Sequence, residues 1–149
     1  MDATQWFLVI TTALYLYCTG GSWMLQVVSY PTYHLVPTEA FVPFHTESGK
    51  RLLGIFVAPA VIACWLGVIL VFWHPAASPL WARLLVAACG LTILITTIAL
   101  EVPKHNALDR DGKSTALIDG LVRDNLPRAV AWTVGSLTLV WLLINALVR

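Results

Sequence analysis

Charged residues are scarce in this chain. Asp, Glu, Lys and Arg together make up 11% of its 149 residues, whereas 58% of the residues are hydrophobic. A water-soluble domain carries about 25% charged residues, so the composition excludes an ordinary soluble domain. The formal net charge is only +1. Because proteins that bind nucleic acid do so largely through an excess of Lys and Arg, no nucleic-acid partner is expected.

Paired cysteines are also lacking. The chain has three cysteines and no Cys-x-x-Cys sequence. Cys18, Cys64 and Cys89 fall near the middles of three different apolar segments, where cysteine usually behaves as a small hydrophobic residue. A redox-active thiol is the alternative interpretation. Without a cysteine pair, the four-helix quinone reductases that use one are not expected relatives.

The first residues, from Met1 to Gln5, contain no Lys or Arg. A cleaved secretory signal has a positively charged start, a short apolar run and a small-x-small cleavage site. Here the apolar run is longer, and no such cleavage site follows it closely. We therefore expect the first apolar segment to remain in the protein as a helix.

Long apolar segments are what the chain has in abundance. Four of them, each about 20 residues or longer, cover approximately residues 5–29, 52–73, 80–100 and 129–148. A helix needs about 20 residues to cross a hydrocarbon layer of roughly 30 Å. The segments do not alternate polar and apolar residues, as the strands of a membrane barrel do. The sequence predicts an all-α protein, a single-domain integral-membrane four-helix bundle.

The first and third connections between these segments have compositions of their own. The first, from Pro31 to Arg51, is rich in proline and aromatic residues, and we expect it to fold back over the mouth of the bundle, with Thr38 capping a short helix. In the third, residues 109–112 indicate a turn. Residues 114–123 indicate a short amphipathic helix on the membrane surface before the fourth span. Pro103 is expected to end or kink the third helix.

The distribution of Lys and Arg predicts an orientation. With four spans, the first and third connections share one side of the membrane, and both termini share the other side with the second connection. Residues on the first side are Lys50, Arg51, Lys104, Arg110, Lys113, Arg123 and Arg128, and on the second Arg83 and Arg149. Because Lys and Arg concentrate in cytoplasmic loops, we expect a multi-pass protein of the cell membrane with both termini outside.

Polar residues at the ends of the apolar segments form the candidate site. His34, His45 and His105 fall on the predicted cytoplasmic side, at the same depth as Glu101. Two or three histidines with a carboxylate suit zinc, iron or copper. The sequence therefore suggests a catalytic or metal-binding cluster of these four residues. Two alternatives remain open: a metal-free ligand pocket, and ordinary headgroup-level residues with Glu101 paired to Arg51 or Arg128.

A second group of residues is expected to bind the substrate around this cluster. Tyrosine and asparagine would orient the substrate, arginine would hold an anionic group, and tryptophan would form a wall. The predicted substrate-binding residues are Tyr30, Tyr33, Arg51, Asn106, Asn125, Arg128 and Trp132.

Part of the chain resembles a known group. Val102-Pro103-x-x-Asn106-x-Leu108, followed by Asn125-x-x-Arg128 and then Trp132, is similar to the pattern of small four-helix membrane proteins related to anthrone oxygenases. In that group a Pro-x-x-Asn-x-Leu motif follows the third helix, and an arginine lies near the start of the fourth. The resemblance implies oxidation of a hydrophobic, often polycyclic aromatic substrate without an organic cofactor.

The leading functional hypothesis is an integral-membrane oxidoreductase or oxygenase. A hydrophobic small molecule would enter from the surrounding membrane lipid and meet a cytoplasm-facing site of histidine and glutamate, which bind a copper or iron ion or act as general base. The second hypothesis is a non-catalytic binder or carrier of a lipid, quinone or small solute. The third is a membrane subunit with haem held by two histidines.

Overall fold

The chain folds into four long antiparallel helices. The computed structural model describes residues 1–148, with side chains described through Ala146. The helices are α1 (Ala3–Leu35), α2 (Thr38–Ile69), α3 (Leu80–Asp111) and α4 (Thr115–Val148). All four are long and apolar enough to cross a membrane. The predicted all-α four-helix architecture is confirmed at that level.

The helices are longer than the predicted spans. They contain 32 to 34 residues, so each is about 50 Å long at 1.5 Å per residue. The apolar segments account for about 30 Å of this length. The remaining turns extend α1 and α3 at their carboxyl ends and α2 and α4 at their amino ends. All four extensions lie at one end of the bundle, where they form a smaller and more polar layer.

The first and third connections are much shorter than predicted, because helical turns occupy most of their residues. The first connection does not fold back over the mouth as a separate segment, because α1 continues to Leu35 and α2 begins at Thr38. Pro37, and not Thr38, occupies the capping position of α2. The third connection is reduced to residues 112–114, and Gly112 adopts a positive φ of 87° there. Most other residues avoid this backbone conformation.

Residues 115–126 are the first turns of α4, not a separate surface helix. Their apolar stripe includes Ile118 and Leu121, which are fully buried in the bundle. Burial against the other helices removes this stripe from water, so it does not need the membrane surface. Pro127 lies inside the continuous helix.

Prolines in three helices are each preceded by a π-helical turn. These turns cover Leu25–Ser29, Leu53–Val57 and Thr97–Glu101, and Pro31, Pro59 and Pro103 each follow two residues later. In each case the residue before the proline donates its N–H to the carbonyl five residues back. A proline ring collides with the carbonyl four residues back. The wider turn relieves that collision, so Pro103 does not end α3.

Tyr15 of α1 occupies the centre of the bundle. Each helix packs on its two neighbours in the cyclic order α1, α2, α3, α4. The Tyr15 side chain is fully buried and its hydroxyl donates to the Val86 carbonyl at 3.3 Å. It lies against one glycine of each other helix, Gly67, Gly90 and Gly135, where an added Cβ would approach a Tyr15 atom to 3.0 Å or closer. Small residues of this kind allow helices to approach closely in lipid.

Candidate functional site

A cavity of about 320 Å³ lies where the apolar part of the bundle meets the polar layer. This volume is at the lower end of the range for small-molecule sites. All four helices contribute to its wall. The lining residues are Leu25, Tyr30, His45, Gly49, Leu52, Leu53, Phe56, Val57, Thr97, Glu101, Val102, His105, Asn106, Asp109 and Arg128. The three π-helical turns supply six of these, and π turns often occur at functional sites.

A chain of hydrogen bonds runs from the cavity to the surface. The Tyr30 hydroxyl lies 3.4 Å from Nε2 of His105, and Nδ1 of His105 lies 2.9 Å from Nε2 of His45. Nδ1 of His45 lies 2.7 Å from Oδ1 of Asp109, which also accepts a hydrogen bond from Thr46 at 2.7 Å. Tyr30 and His45 are buried, whereas Asp109 is exposed. The chain thus connects a buried hydroxyl to a carboxylate in contact with water.

The acceptor at the outer end sets the direction of these hydrogen bonds. An ionised Asp109 can only accept, so Nδ1 of His45 carries the proton between them. With both rings neutral, Nε2 of His45 then accepts from Nδ1 of His105, and Nε2 of His105 accepts from the Tyr30 hydroxyl. Every donor points towards Asp109. This arrangement allows a proton to pass from Tyr30 to Asp109 by a series of short transfers.

A buried ion pair lies at the deeper end of the cavity. Nη1 of Arg128 and Oε2 of Glu101 are 3.3 Å apart, and the two residues are only 6% and 2% exposed. Among the described residues, the two carboxylate oxygens of Glu101 have no hydrogen-bond partner, and Nε of Arg128 has none either. The Tyr30 hydroxyl also approaches the carboxylate, but its hydrogen bond is to His105. Of the two arginines considered as partners of Glu101, Arg51 and Arg128, the structure pairs it with Arg128.

The predicted cluster of three histidines and Glu101 is only partly assembled. His45 and His105 are in contact, and Glu101 and His105 line the same cavity. His34 lies elsewhere: its Nε2 is 3.0 Å from Asp119 on α4. It belongs to the last turn of α1, which continues as helix past the predicted boundary and directs this ring away from His45.

The residues present do not fit a metal ion. Within residues 1–148, no group of three or more His, Cys, Asp or Glu side chains is arranged to hold one. The facing nitrogens of His45 and His105 are 2.9 Å apart and hydrogen-bonded to each other. Two imidazole nitrogens that bind one metal ion lie about 3.3 Å apart in tetrahedral geometry and about 4 Å apart on opposite sides of the ion. The proposed set of His34, His45, Glu101 and His105 is therefore not supported as a metal centre, and the two-histidine haem site meets the same objection.

The predicted substrate-binding residues fall into two groups. Tyr30, Asn106 and Arg128 line the cavity. Tyr33 is buried beside it and contacts the ring of His45 edge-on, with ring centroids 5.6 Å apart. Arg51 does not line the cavity; it is exposed and pairs with Glu47 at 2.8 Å, one helical turn away.

The other two predicted substrate-binding residues have structural roles. Asn125 donates to the side chain of Gln26 at 2.9 Å and to the Ser22 carbonyl at 3.3 Å, so it joins α4 to α1. Trp132 is fully buried and packs edge-on against Tyr15, with ring centroids 5.0 Å apart. Both point towards α1, and neither lines the cavity.

Asp109 and Thr46 were not predicted as site residues. The Asp-Arg-Asp-Gly sequence at 109–112 indicated a turn, but α3 continues to Asp111 and the turn begins at Gly112. One sequence signal was present: Asp109 follows His105 by four residues, which places both on one helical face. No sequence signal connected either residue to His45 on another helix.

A second hollow, also of about 320 Å³, lies at the side of the bundle between α1 and α2. These two helices contact each other less extensively than the other neighbouring pairs. Leu25, Leu52 and Phe56 line both this hollow and the cavity. The ring of Phe56 lies against Gly21, where any larger residue would collide with it. Three apolar side chains thus separate the cavity from the outer surface.

Comparison with protein-family models, curated proteins and solved structures finds no match for this chain. The resemblance to proteins related to anthrone oxygenases therefore stays a prediction. Of the residues that carry it, Asn106 and Arg128 line the cavity, whereas Asn125 and Trp132 do not.

Proposed function

We propose that this chain is an integral-membrane oxidoreductase that acts on a hydrophobic substrate by acid–base chemistry in the cavity. The observation that carries the proposal is the hydrogen-bonded chain from Tyr30 through His105 and His45 to Asp109. Positioned general bases contribute about 10²–10⁴-fold to a reaction rate. Burial of an ionisable side chain within a membrane-spanning segment costs free energy, and residues of this kind usually belong to functional sites.

The relay would remove a proton from the substrate. A weakly acidic group beside Tyr30 loses its proton towards His105, and the proton leaves through Asp109. The guanidinium group of Arg128 stabilises the anion that remains. Dioxygen, which dissolves in a lipid bilayer, is the oxidant. One methylene group and one O₂ give one carbonyl group and one water molecule. O₂ takes the electrons directly from the substrate, so the relay carries only protons.

The hollow between α1 and α2 supports entry of the substrate from the side. Its outer wall includes Tyr17, Met24 and Ile55, which are all more than half exposed. In a bilayer these side chains would face lipid. A hydrophobic molecule would then reach the cavity by displacing the Phe56 ring, without passing through water.

The proposed orientation follows from the distribution of Lys and Arg. Seven of these residues lie at the end of the bundle that holds the cavity, so the site would face the cytoplasm and both termini would lie outside. Cysteines introduced at Asp2 and at Gly112 should react with a membrane-impermeant reagent from opposite sides of the cell membrane. Reaction of both from the same side would contradict the orientation.

Anthrone is a suitable test substrate, because it is apolar, has an acidic methylene group, and carries a hydroxyl group in its enol form. Purified protein in lipid nanodiscs should consume O₂ and form anthraquinone. His105→Ala should lower the rate by about 10²-fold, because it removes the base nearest the cavity. His74→Ala is the matched control, since His74 lies at the other end of the bundle and its ring is hydrogen-bonded to the Pro75 carbonyl at 3.0 Å.

Three results would separate the alternatives. Full activity of His105→Ala would contradict the proposal. A strict requirement for stoichiometric copper or iron would contradict oxidation by acid–base chemistry alone. Binding of anthrone without any oxidation by the wild-type protein would favour the carrier hypothesis instead.

A further inference from the structure

Glu101 and Arg128 form the only charged pair in the cavity wall that is almost completely buried within the described part of the chain. Burial of two charges costs several kcal/mol each unless further hydrogen bonds satisfy their remaining atoms. Here those further hydrogen bonds are lacking. Both carboxylate oxygens of Glu101 and Nε of Arg128 have no partner among the described residues. The pair is thus prepared for a hydrogen-bonding group that comes from outside the protein.

The chemistry of the pair defines that group. A carboxylate offers only acceptors, and a guanidinium group offers only donors. A hydroxyl group has one O–H donor and two lone pairs, so a single hydroxyl can donate to Glu101 and accept from Arg128 at the same time. A carbonyl group would leave Glu101 without a partner, and an ammonium group would leave Arg128 without one.

The rest of the wall defines the body of the ligand. Between this pair and the outer surface, the cavity is lined by Leu25, Leu52, Leu53, Phe56 and Val57. These side chains offer no hydrogen bonds and favour an apolar body. The volume of about 320 Å³ accommodates a compact molecule of two or three fused rings.

We propose that the Glu101–Arg128 pair binds the hydroxyl group of an apolar, bilayer-soluble alcohol or phenol whose hydrocarbon body lies against α2. The inference deepens the proposed function by naming the part of the substrate that the site holds. It concerns binding alone, so it can be tested without turnover.

Three probes of similar size and shape test the hydroxyl requirement. They are 1-naphthol, its methyl ether 1-methoxynaphthalene, and the saturated alcohol 1-decalol. Binding to wild-type protein in detergent is measured by equilibrium dialysis and corrected for partition of each probe into the detergent. Because hydrogen bonds to charged groups contribute about 10- to 100-fold in affinity, 1-naphthol should bind at least 10-fold more tightly than its methyl ether. The affinity of 1-decalol shows whether an aliphatic alcohol or a phenol is preferred.

A double substitution tests the assignment to this pair. Glu101→Leu with Arg128→Met replaces both charges by apolar side chains, a change that folded proteins often tolerate. The 10-fold preference for 1-naphthol over its methyl ether should then disappear. The matched control is Arg110→Met with Asp111→Leu, which removes an exposed ion pair of 2.7 Å at the end of α3 and should preserve the preference.

These binding measurements test the hydroxyl site, and the anthrone assay tests the proposed function, so each can fail without the other. Equal affinity of wild-type protein for 1-naphthol and 1-methoxynaphthalene would overturn the inference, and this comparison does not depend on any variant folding. A preference that survives the double substitution would also overturn it. Hydroxyl-dependent binding without anthrone oxidation would overturn the proposed function and leave the hydroxyl site standing.

Discussion

Asp109 is the point at which the buried hydrogen-bonded chain meets water. Its side chain is 41% exposed, whereas that of His45, to which it is hydrogen-bonded, is 3% exposed. Thr46 donates to the same oxygen, which keeps the carboxylate in one orientation. The proposed relay requires a group at this position that both accepts a hydrogen bond and can take up a proton.

We expect Asp109→Asn to separate these two properties. The amide oxygen can still accept from His45 and Thr46, but an amide does not take up a proton. The kcat for anthrone oxidation should fall roughly 10- to 100-fold while KM stays unchanged, because the cavity keeps its shape. Asp111→Asn is the control, two residues further along α3 and outside the cavity. An unchanged kcat in Asp109→Asn would show that no proton leaves by this route.

At the scale of single helices, the π-helical turns leave carbonyl groups that need other partners. Pro59 has no N–H to offer the carbonyl of Ile55 four residues back. The hydroxyl of Tyr17 on α1 donates to that carbonyl instead. The contact joins α1 to α2 at the hollow through which we propose that the substrate enters.

A double-mutant cycle should detect this compensation. Tyr17→Phe should lower the free energy of unfolding by about 1 kcal/mol, a usual value for a hydrogen bond between membrane helices. Pro59→Ala restores an N–H group to α2, so Tyr17→Phe should have little further effect in that background. Unfolding in mixed micelles of dodecyl maltoside and SDS measures both. Equal effects of Tyr17→Phe in the two backgrounds would contradict the compensation.

The elements differ in how well sequence reasoning could find them. Apolar length is a local property, so the four spans were predictable. The helical extensions were not, because Pro31, Pro103 and Pro127 usually indicate helix boundaries and only the packing of neighbouring turns retains them in helices. The contact between His45 and His105 joins two helices, and single-sequence patterns carry no information about it. His34 shares with these two histidines only a sequence position at the end of a predicted span.

For the whole molecule, packing around Tyr15 determines how closely the four helices approach. Its side chain lies against one glycine on each of the other helices, and its ring packs edge-on with Trp132. Polar contacts lie beside this centre: Thr19 and Ser136 are hydrogen-bonded at 2.7 Å. The apolar half of the bundle is thereby held in one arrangement, on which the cavity above it depends.

We expect Gly67→Ala to destabilise the bundle by about 1–3 kcal/mol, the usual cost of overpacking a core. The added methyl group would collide with the Tyr15 hydroxyl. Tyr15→Phe removes that hydroxyl, so the double variant should recover part of the loss relative to Gly67→Ala alone. Gly20→Ala is the control, because a Cβ there meets open space. Unfolding in mixed micelles measures all four proteins, and no difference between Gly67→Ala and Gly20→Ala would contradict the packing.

The π-helical turn in α3 also determines the direction in which the side chains beyond it point. Ile93, Thr97, Glu101 and His105 follow one another at intervals of four residues and lie on the inner side of the bundle. In an undistorted α-helix, each such step advances the side chain by about 40° beyond a full turn, so His105 would point about 120° away from Ile93. The wider turn absorbs this drift. Deletion of one residue from 97–101 would therefore let α3 run as a regular α-helix, in which His105 follows Ile93 by eleven residues and points only about 20° away from it. His105 and Asp109 would keep facing the cavity after this deletion, whereas a regular helix without the deletion would turn them away.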